Sequence, residues 1–296
     1  MPASINTPLI RLGSLFPGHE VFAKCEFLAP SGCFKIHGAR HLLEHLTRDG
    51  RTRQLVVPSM GNTAIGAAVG AREFGFSMMG VVPKTISSAK DERLRSLGAE
   101  LVKIDGGGSD LLRTATQVAQ ERGGYFVHPH LDALWTDGYQ AIAKQILHEF
   151  PQCRSLVFPL GGGGLLMGVT EFLRRQSAAP KLFACEPFNY PKYARFEHQR
   201  TKTIADGLIL EHPHATVQER IAADGVFVEL VQEAEIRRAM RGLFTKHGLV
   251  VEPSSAIATA FVASRLSQLA EPICVILTGG NITRDDFDRL VAATES

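Results

Sequence analysis

The sequence predicts an α/β fold with a mainly parallel sheet, and three observations carry that expectation. Short apolar runs rich in Val, Ile and Phe alternate with longer amphipathic segments from about residue 55 onward, the pattern of successive βαβ units. Several of those runs pass directly into glycine- or hydroxyl-rich turns that open helices, as at 55–75 and 155–176. No internal repeat, low-complexity tract or Pro/Ser-rich linker divides the chain, so two interleaved lobes are expected rather than two beads in series.

In chain order, strands are expected at 54–58, 78–83, 100–104, 155–160, 181–186, 226–230 and 272–277. Each is short and largely uninterrupted, as strands buried on both faces are. Helices are expected from Asn62 to Phe74, Ser87 to Leu97, Asp110 to Arg122, Asp137 to Phe150, Leu165 to Gln176, Gln232 to His247 and Ser254 to Leu266. Most begin near a Ser, Asp, Asn or Gly able to satisfy free N–H groups. The least regular stretch is 198–214, and loops of that kind often border sites.

With 296 residues, 45% hydrophobic and 21% charged, the chain can bury a sizeable core, which excludes disorder. A net charge of +2, from 32 basic and 30 acidic residues, gives no field suited to nucleic acid. The N-terminus lacks a basic segment followed by an apolar stretch, and no run of about 18 apolar residues follows, so a cytoplasmic protein without membrane attachment is expected. Cys25, Cys33, Cys153, Cys185 and Cys274 are odd in number and form no Cys-x-x-Cys pair. They read as reduced thiols that pack as small hydrophobes, with no catalytic role.

Four segments carry chemistry. At 155–176 a buried strand runs through Gly161, Gly162, Gly163 and Gly164 into a helix. Glycine lets the backbone approach an anion closely, and the helix's free N–H groups and dipole face it. A dinucleotide site would want the same order, and Glu186 ends the next strand on cue. The G-x-G-x-x-G spacing fails, however, with Leu166 or Leu165 in required glycine places. A phosphate monoester is the better reading.

Within 30–46, Lys35 stands where a turn opens an amphipathic helix, a place where the local field opposes a positive charge and favours a free amine. At 55–75 another strand-to-helix turn carries Ser59, Gly61, Asn62 and Thr63, all able to donate hydrogen bonds to a carboxylate. The last buried strand ends in Thr278, Gly279, Gly280 and Asn281. Ligands gather at the carboxyl ends of strands in parallel sheets, so these turns are expected to share one crevice.

Together SGCFKIHGA (31–39), PSMGNTAIGAA (58–68), GGGGLLMG (161–168), ACEP (184–187), TIADGLI (203–209), VEPSSA (251–256) and LTGGN (277–281) resemble the fold-type II pyridoxal-phosphate enzymes, in particular their serine/threonine dehydratase and serine racemase branch. The resemblance spans nearly the whole chain. It implies a tryptophan synthase β-like fold of two lobes, each with a mainly parallel sheet flanked by helices: a large cofactor-binding domain of 1–50 plus 132–296, and a small mobile domain of 51–131 carrying the asparagine loop. It also implies a homodimer, pyridoxal 5'-phosphate as cofactor and a small amino acid as substrate.

By the same resemblance Lys35 would hold the cofactor as a Schiff base and act as base at Cα. Phe34 would lie against the ring, Asn62 would bond its phenolic oxygen, and Thr278 would meet its nitrogen. Gly161, Gly162, Gly163, Gly164 and Leu165 would hold the phosphate, while Ser59, Asn62 and Thr63 would grip the substrate carboxylate. The implied reaction is elimination of the β-substituent of serine, threonine or a related amino acid through an aminoacrylate, giving a keto acid and ammonia. Two alternatives stand beside it: β-replacement of the cysteine-synthase or threonine-synthase kind, and a silent amino-acid or cofactor-binding regulator. Intact Lys35 and Asn62 speak against the regulator, as do the 15 residues after Asn281, too few for an appended regulatory domain.

Three departures from the family pattern stand out. Met60 replaces the second hydroxyl of serine racemases, which disfavours racemisation. Metal-binding members place an aspartate six residues after the glutamate at the Glu186 position; here Lys192 stands there. Its ammonium is expected to pair with Glu186 in place of a divalent cation, leaving no metal site. His37 replaces a frequent arginine, so contacts near the phosphate or in domain closure are expected to differ. His128 and His130 flank Pro129 without a third ligand at a standard spacing and read as structural histidines.

Overall fold

The structure, a computed structural model, describes residues 4–194 and 200–292. The first half of the chain contributes β1 (Leu9–Arg11), β2 (Val21–Lys24), α1 (Lys35–Asp49), β3 (Gln54–Val57), α2 (Asn62–Phe74), β4 (Ser77–Pro83), α3 (Ser88–Ser96), β5 (Ala99–Ile104), α4 (Gly108–Arg122), β6 (Tyr125–Phe126), α5 (Ala133–Asp137) and α6 (Gln140–Glu149). The second half adds β7 (Ser155–Pro159), α7 (Gly164–Leu173), β8 (Lys181–Pro187), α8 (Ala215–Ala223), β9 (Phe227–Val231), α9 (Glu233–His247), α10 (Pro253–Arg265), β10 (Ile273–Ile276) and α11 (Arg284–Ala292).

Two sheets result, one of order β1-β2-β10-β7-β8-β9 and one of order β5-β4-β3-β6. Every pairing is parallel except β1 with β2. All seven strands expected from the sequence form, within about two residues of their expected ends.

Alternation along the strands explains why helices cover both faces of the larger sheet. Ile273, Val275 and Val157 join the core under α9 and α10, while Cys274, Ile276, Leu156 and Phe158 join the core that includes α1 and α6. The smaller sheet is built alike. Val56, Met79 and Val81 pack against Ala115 and Ala119 of α4, whereas Leu55, Val57, Met78 and Val82 belong to the core shared with α1 and α2. Glycine brings α2 close to α1, since a Cβ at Gly66 would come within 2.8 Å of Lys35 Cβ and one at Gly70 within 3.0 Å of Ala39 Cβ.

The structure adds elements the pattern did not give. β1, β2 and β6 are two to four residues long, too short for a period to register. The helix expected over 137–150 forms as α6, three residues late at its start, and the short α5 is added ahead of it, with Gly138 between the two. There a Cβ would lie 2.4 Å from the carbonyl oxygen of His37, so α1 packs directly onto backbone. α8 and α11 had no counterpart in the reading. Each is nine residues long with a single buried side chain, Val217 or Phe287, and so a weak apolar stripe.

Candidate active site

Three strand ends from two sheets open into one cavity of about 720 Å³, with β3 leading into Pro58–Thr63, β7 into Gly161–Leu165 and β10 into Thr278. Phe34, Lys35, Ser59, Asn62, Thr63, Gly161, Gly162, Gly163, Gly164, Leu165 and Thr278, the whole set expected from the sequence, line it. The irregular stretch lines it too, through Asp206–His212 and His214; residues 195–199 lie outside the described residues.

Lys35 is placed by backbone bonds. Phe34 N–H donates to Thr278 O at 2.9 Å and Gly280 N–H to Gly32 O at 3.0 Å, which stitch the start of α1 to the turn after β10. Gly32 sits at φ +72°, and a Cβ there would strike the Asn281 side chain. The Lys35 ammonium lies 4.9 Å from the Phe34 ring centroid and 5.7 Å from that of Tyr139. Burial pushes its pKa down to about 8 against a smaller opposing effect of Cys33. Burial thus acts in the same direction as the field expected at the helix start.

Gly161–Gly164 turn β7 into α7. Gly163 has φ +89°, and a Cβ on it would come within 2.4 Å of Val217 in α8. The loop therefore requires glycine for conformation and for packing. At the asparagine loop, Ser59 Oγ accepts the N–H of Gly61 at 3.2 Å. The Asn62 amide donates to Glu252 Oε1 at 2.7 Å and accepts from Asn281 Nδ2 at 2.6 Å. Arg93 donates to Asn281 Oδ1 at 2.8 Å.

A buried amine, a glycine cradle at a helix N-terminus, a flat aromatic wall at Phe34 and a hydroxyl at Thr278 fit pyridoxal phosphate in kind, and the cavity has room for it with a substrate. The model of the pyridoxal-phosphate dependent enzyme family matches residues 1–279. The chain belongs to that family. It is 29% identical to the L-threonine ammonia-lyase of Thermotoga maritima, over 93% of this chain and 70% of that protein. It is 29% identical to the serine racemase of Rattus norvegicus, over 90% and 84%. The solved structure of the L-serine ammonia-lyase of Rhizomucor miehei superposes with a TM-score of 0.87 over 98% of this chain and 99% of that one, and at 23% identity that likeness concerns the fold.

Several features of this pyridoxal-phosphate dependent chain depart from the sequence reading. His128 and His130, read as structural, line the cavity together with His214. Only the tertiary structure brings His214 near them. Glu252 was inside a recognised motif but given no role. It lines the cavity, holds Asn62, and burial pushes its carboxyl up to about 7. His37 does not line the cavity; its Nε2 lies 2.8 Å from Glu26 Oε2 in a buried pair, and Thr7 donates to the same carboxylate at 2.6 Å.

The expected pairing at Lys192 does form. Its Nζ is 3.2 Å from Glu186 Oε1, both side chains fully buried. The Glu186 carboxylate also accepts the backbone N–H groups of Lys192, Tyr193 and Ala194 at 3.0–3.1 Å. Burial pushes the Lys192 pKa down while Glu186 opposes it. An ammonium in this position does not fit a divalent cation on Glu186, which would need further oxygen ligands there.

Proposed function

We propose that the chain is a pyridoxal-phosphate-dependent ammonia-lyase that eliminates the β-substituent of serine, threonine or a related amino acid, giving a keto acid and ammonia. The observation that carries this is a partly neutral amine, Lys35, facing the same cavity as a phosphate-sized glycine cradle and a hydrogen-bonding loop at Ser59–Thr63. When bound, pyridoxal phosphate supplies the electron sink that lets a proton leave Cα.

The protein's part is positional. Gly161, Gly162, Gly163, Gly164 and Leu165 offer backbone N–H groups to the phosphate at the start of α7. Phe34 would cover one ring face, and Thr278 would offer its hydroxyl to the ring nitrogen. Asn62, held in place by Glu252 and Asn281, would turn its amide to the ring oxygen. Ser59, Asn62 and Thr63 take the substrate carboxylate, which fixes the Cα–H bond relative to Lys35 Nζ. A pKa near 8 leaves a useful fraction of Lys35 as free base at neutral pH, so the same nitrogen that holds the cofactor receives the proton. Met60 lines the cavity beside Ser59 and carries no transferable proton at the position where serine racemases have their second hydroxyl, which supports elimination over racemisation.

The reading also includes a small domain of 51–131 moving against the rest, a homodimer, and a place in the cytoplasm. No helix among the described residues is long and apolar enough to cross a membrane. The test is to mix the protein with L-serine alone and follow pyruvate. Sustained release supports the lyase, and release only after a thiol is added would replace it with β-replacement.

A further inference from the structure

One wall of the cavity carries three imidazoles that the reaction above does not use. His128 and His130 lie on the loop after β6, and His214 is the residue before α8. Their ring centroids are 6.0, 5.8 and 5.6 Å apart, and His130 Nδ1 is 3.5 Å from His214 Nε2. His128 Nδ1 accepts the N–H groups of His130 and Leu131 at 3.2 and 3.1 Å, which leaves its proton on Nε2 in the neutral ring. The His130 ring lies directly on the glycine cradle: a Cβ on Gly162 would come within 2.2 Å of it.

The charges around the cluster are unbalanced. Lys35 is the cation that bears on His130. The acidic groups of the cavity are engaged elsewhere, with Asp206 3.8 Å from Lys90 Nζ, Glu211 accepting Gly108 N–H at 3.4 Å, and Glu252 holding Asn62 at 2.7 Å. Asp132, next in the loop, accepts the N–H of Trp135 at 3.1 Å. Tyr193 contributes only its hydroxyl, which accepts the backbone N–H of His214 at 3.0 Å. Among the described residues no carboxylate pairs with any of the three rings, and no group of three or more metal-ligating side chains has the form of a cation site.

Burial first, then Lys35 and the two neighbouring rings, presses His130 toward neutrality; burial does the same to His128 and His214. Such rings gain protons when negative charge arrives beside them.

We propose that His128, His130 and His214 form an anion subsite beside the glycine cradle, one that takes up a proton as it takes the oxygens of a phosphate-like group. Two sources share that chemistry: the phosphate of the cofactor, and an anionic β-substituent on the amino-acid substrate. The second rests on the lyase reading and narrows its substrate class to amino acids with an anionic leaving group, as in L-O-phosphoserine.

The experiment titrates the holoenzyme with inorganic phosphate by calorimetry at pH 6, 7 and 8, in buffers of different ionisation heat. The same is done with His130→Asn and His214→Gln, whose visible absorption reports that cofactor and fold are retained. For a substrate-side subsite, phosphate binds with proton uptake, weakens by up to about tenfold per pH unit as pH rises, and loses that dependence in both variants. L-O-phosphoserine then gains over L-serine in kcat/KM at low pH in the wild type only.

For a cofactor-side subsite, added phosphate does not bind, and dialysis strips the cofactor faster at pH 8 than at pH 6 in the wild type but equally at both in the variants. Neither added phosphate nor cofactor retention responding to pH overturns the proposal. Proton-linked phosphate binding without any pyruvate from either L-serine or L-O-phosphoserine would sink the lyase reading and leave the subsite standing.

Discussion

The glycine cradle and the imidazole wall touch each other across Gly162, yet they are built in opposite ways. The cradle is one contiguous run whose working groups are backbone N–H, so its chemistry is written in four adjacent residues. The wall gathers side chains from the loop after β6 and from the residue before α8, 84 positions apart for the pair that meets at 3.5 Å. A backbone site carries the same donors at any pH. A histidine site changes charge near neutrality, so the cavity joins a fixed anion holder to a variable one.

The largest effect expected is at the amine both regions serve. Lys35→Ala should abolish the visible absorption of bound cofactor and lower kcat about a thousandfold or more, read by spectrum and pyruvate assay. An unchanged spectrum would remove the lysine from the site altogether.

Away from the cavity, Lys192→Met leaves Glu186 buried without its cation and should cost roughly 3–5 kcal/mol in urea unfolding. The wild type should keep its activity in a chelator and carry no stoichiometric divalent metal. Metal found at one per chain would overturn the pairing argument.

The contact between cradle and wall can be broken directly. Gly162→Ala pushes a methyl group into the His130 ring and should weaken cofactor binding and destabilise the fold by about 1–3 kcal/mol. Adding His130→Ala should restore part of both losses. No rescue would mean that the two regions are independent.

The smallest effect concerns Glu252, whose carboxyl stands at about 7 in the fold against an ordinary 4.5. The folded state therefore binds more protons between those values, and stability falls as pH rises from about 5 to 7, with the penalty complete above 7. Glu252→Gln should flatten that slope, a difference on the order of 1–3 kcal/mol between pH 5 and 8 in denaturant titrations. An unchanged slope would assign the titration to another group.

Much of the fold was legible because buried parallel strands are short apolar runs and their helices carry caps. α8 escaped because only Val217 is buried, and α5 because five residues are too few for a period to register. At the site, Lys35, the asparagine loop and the glycine run were legible through their motifs. Glu252 sat inside a motif with nothing to say where it pointed. His128 and His130 were visible but assigned to packing, since the third ring was far along the chain.

By itself the sequence pointed to the parallel α/β plan and the glycine cradle as local patterns of residue types, while the amine at Lys35 and the exchange of an acidic ligand for Lys192 came from the family resemblance. The tertiary structure alone decided that Lys35 is buried, which lowers its pKa, and that three imidazoles meet with no carboxylate among the described residues between them. Desolvation and side-chain convergence depend on what packs from elsewhere in the chain, and no spacing within a segment encodes that.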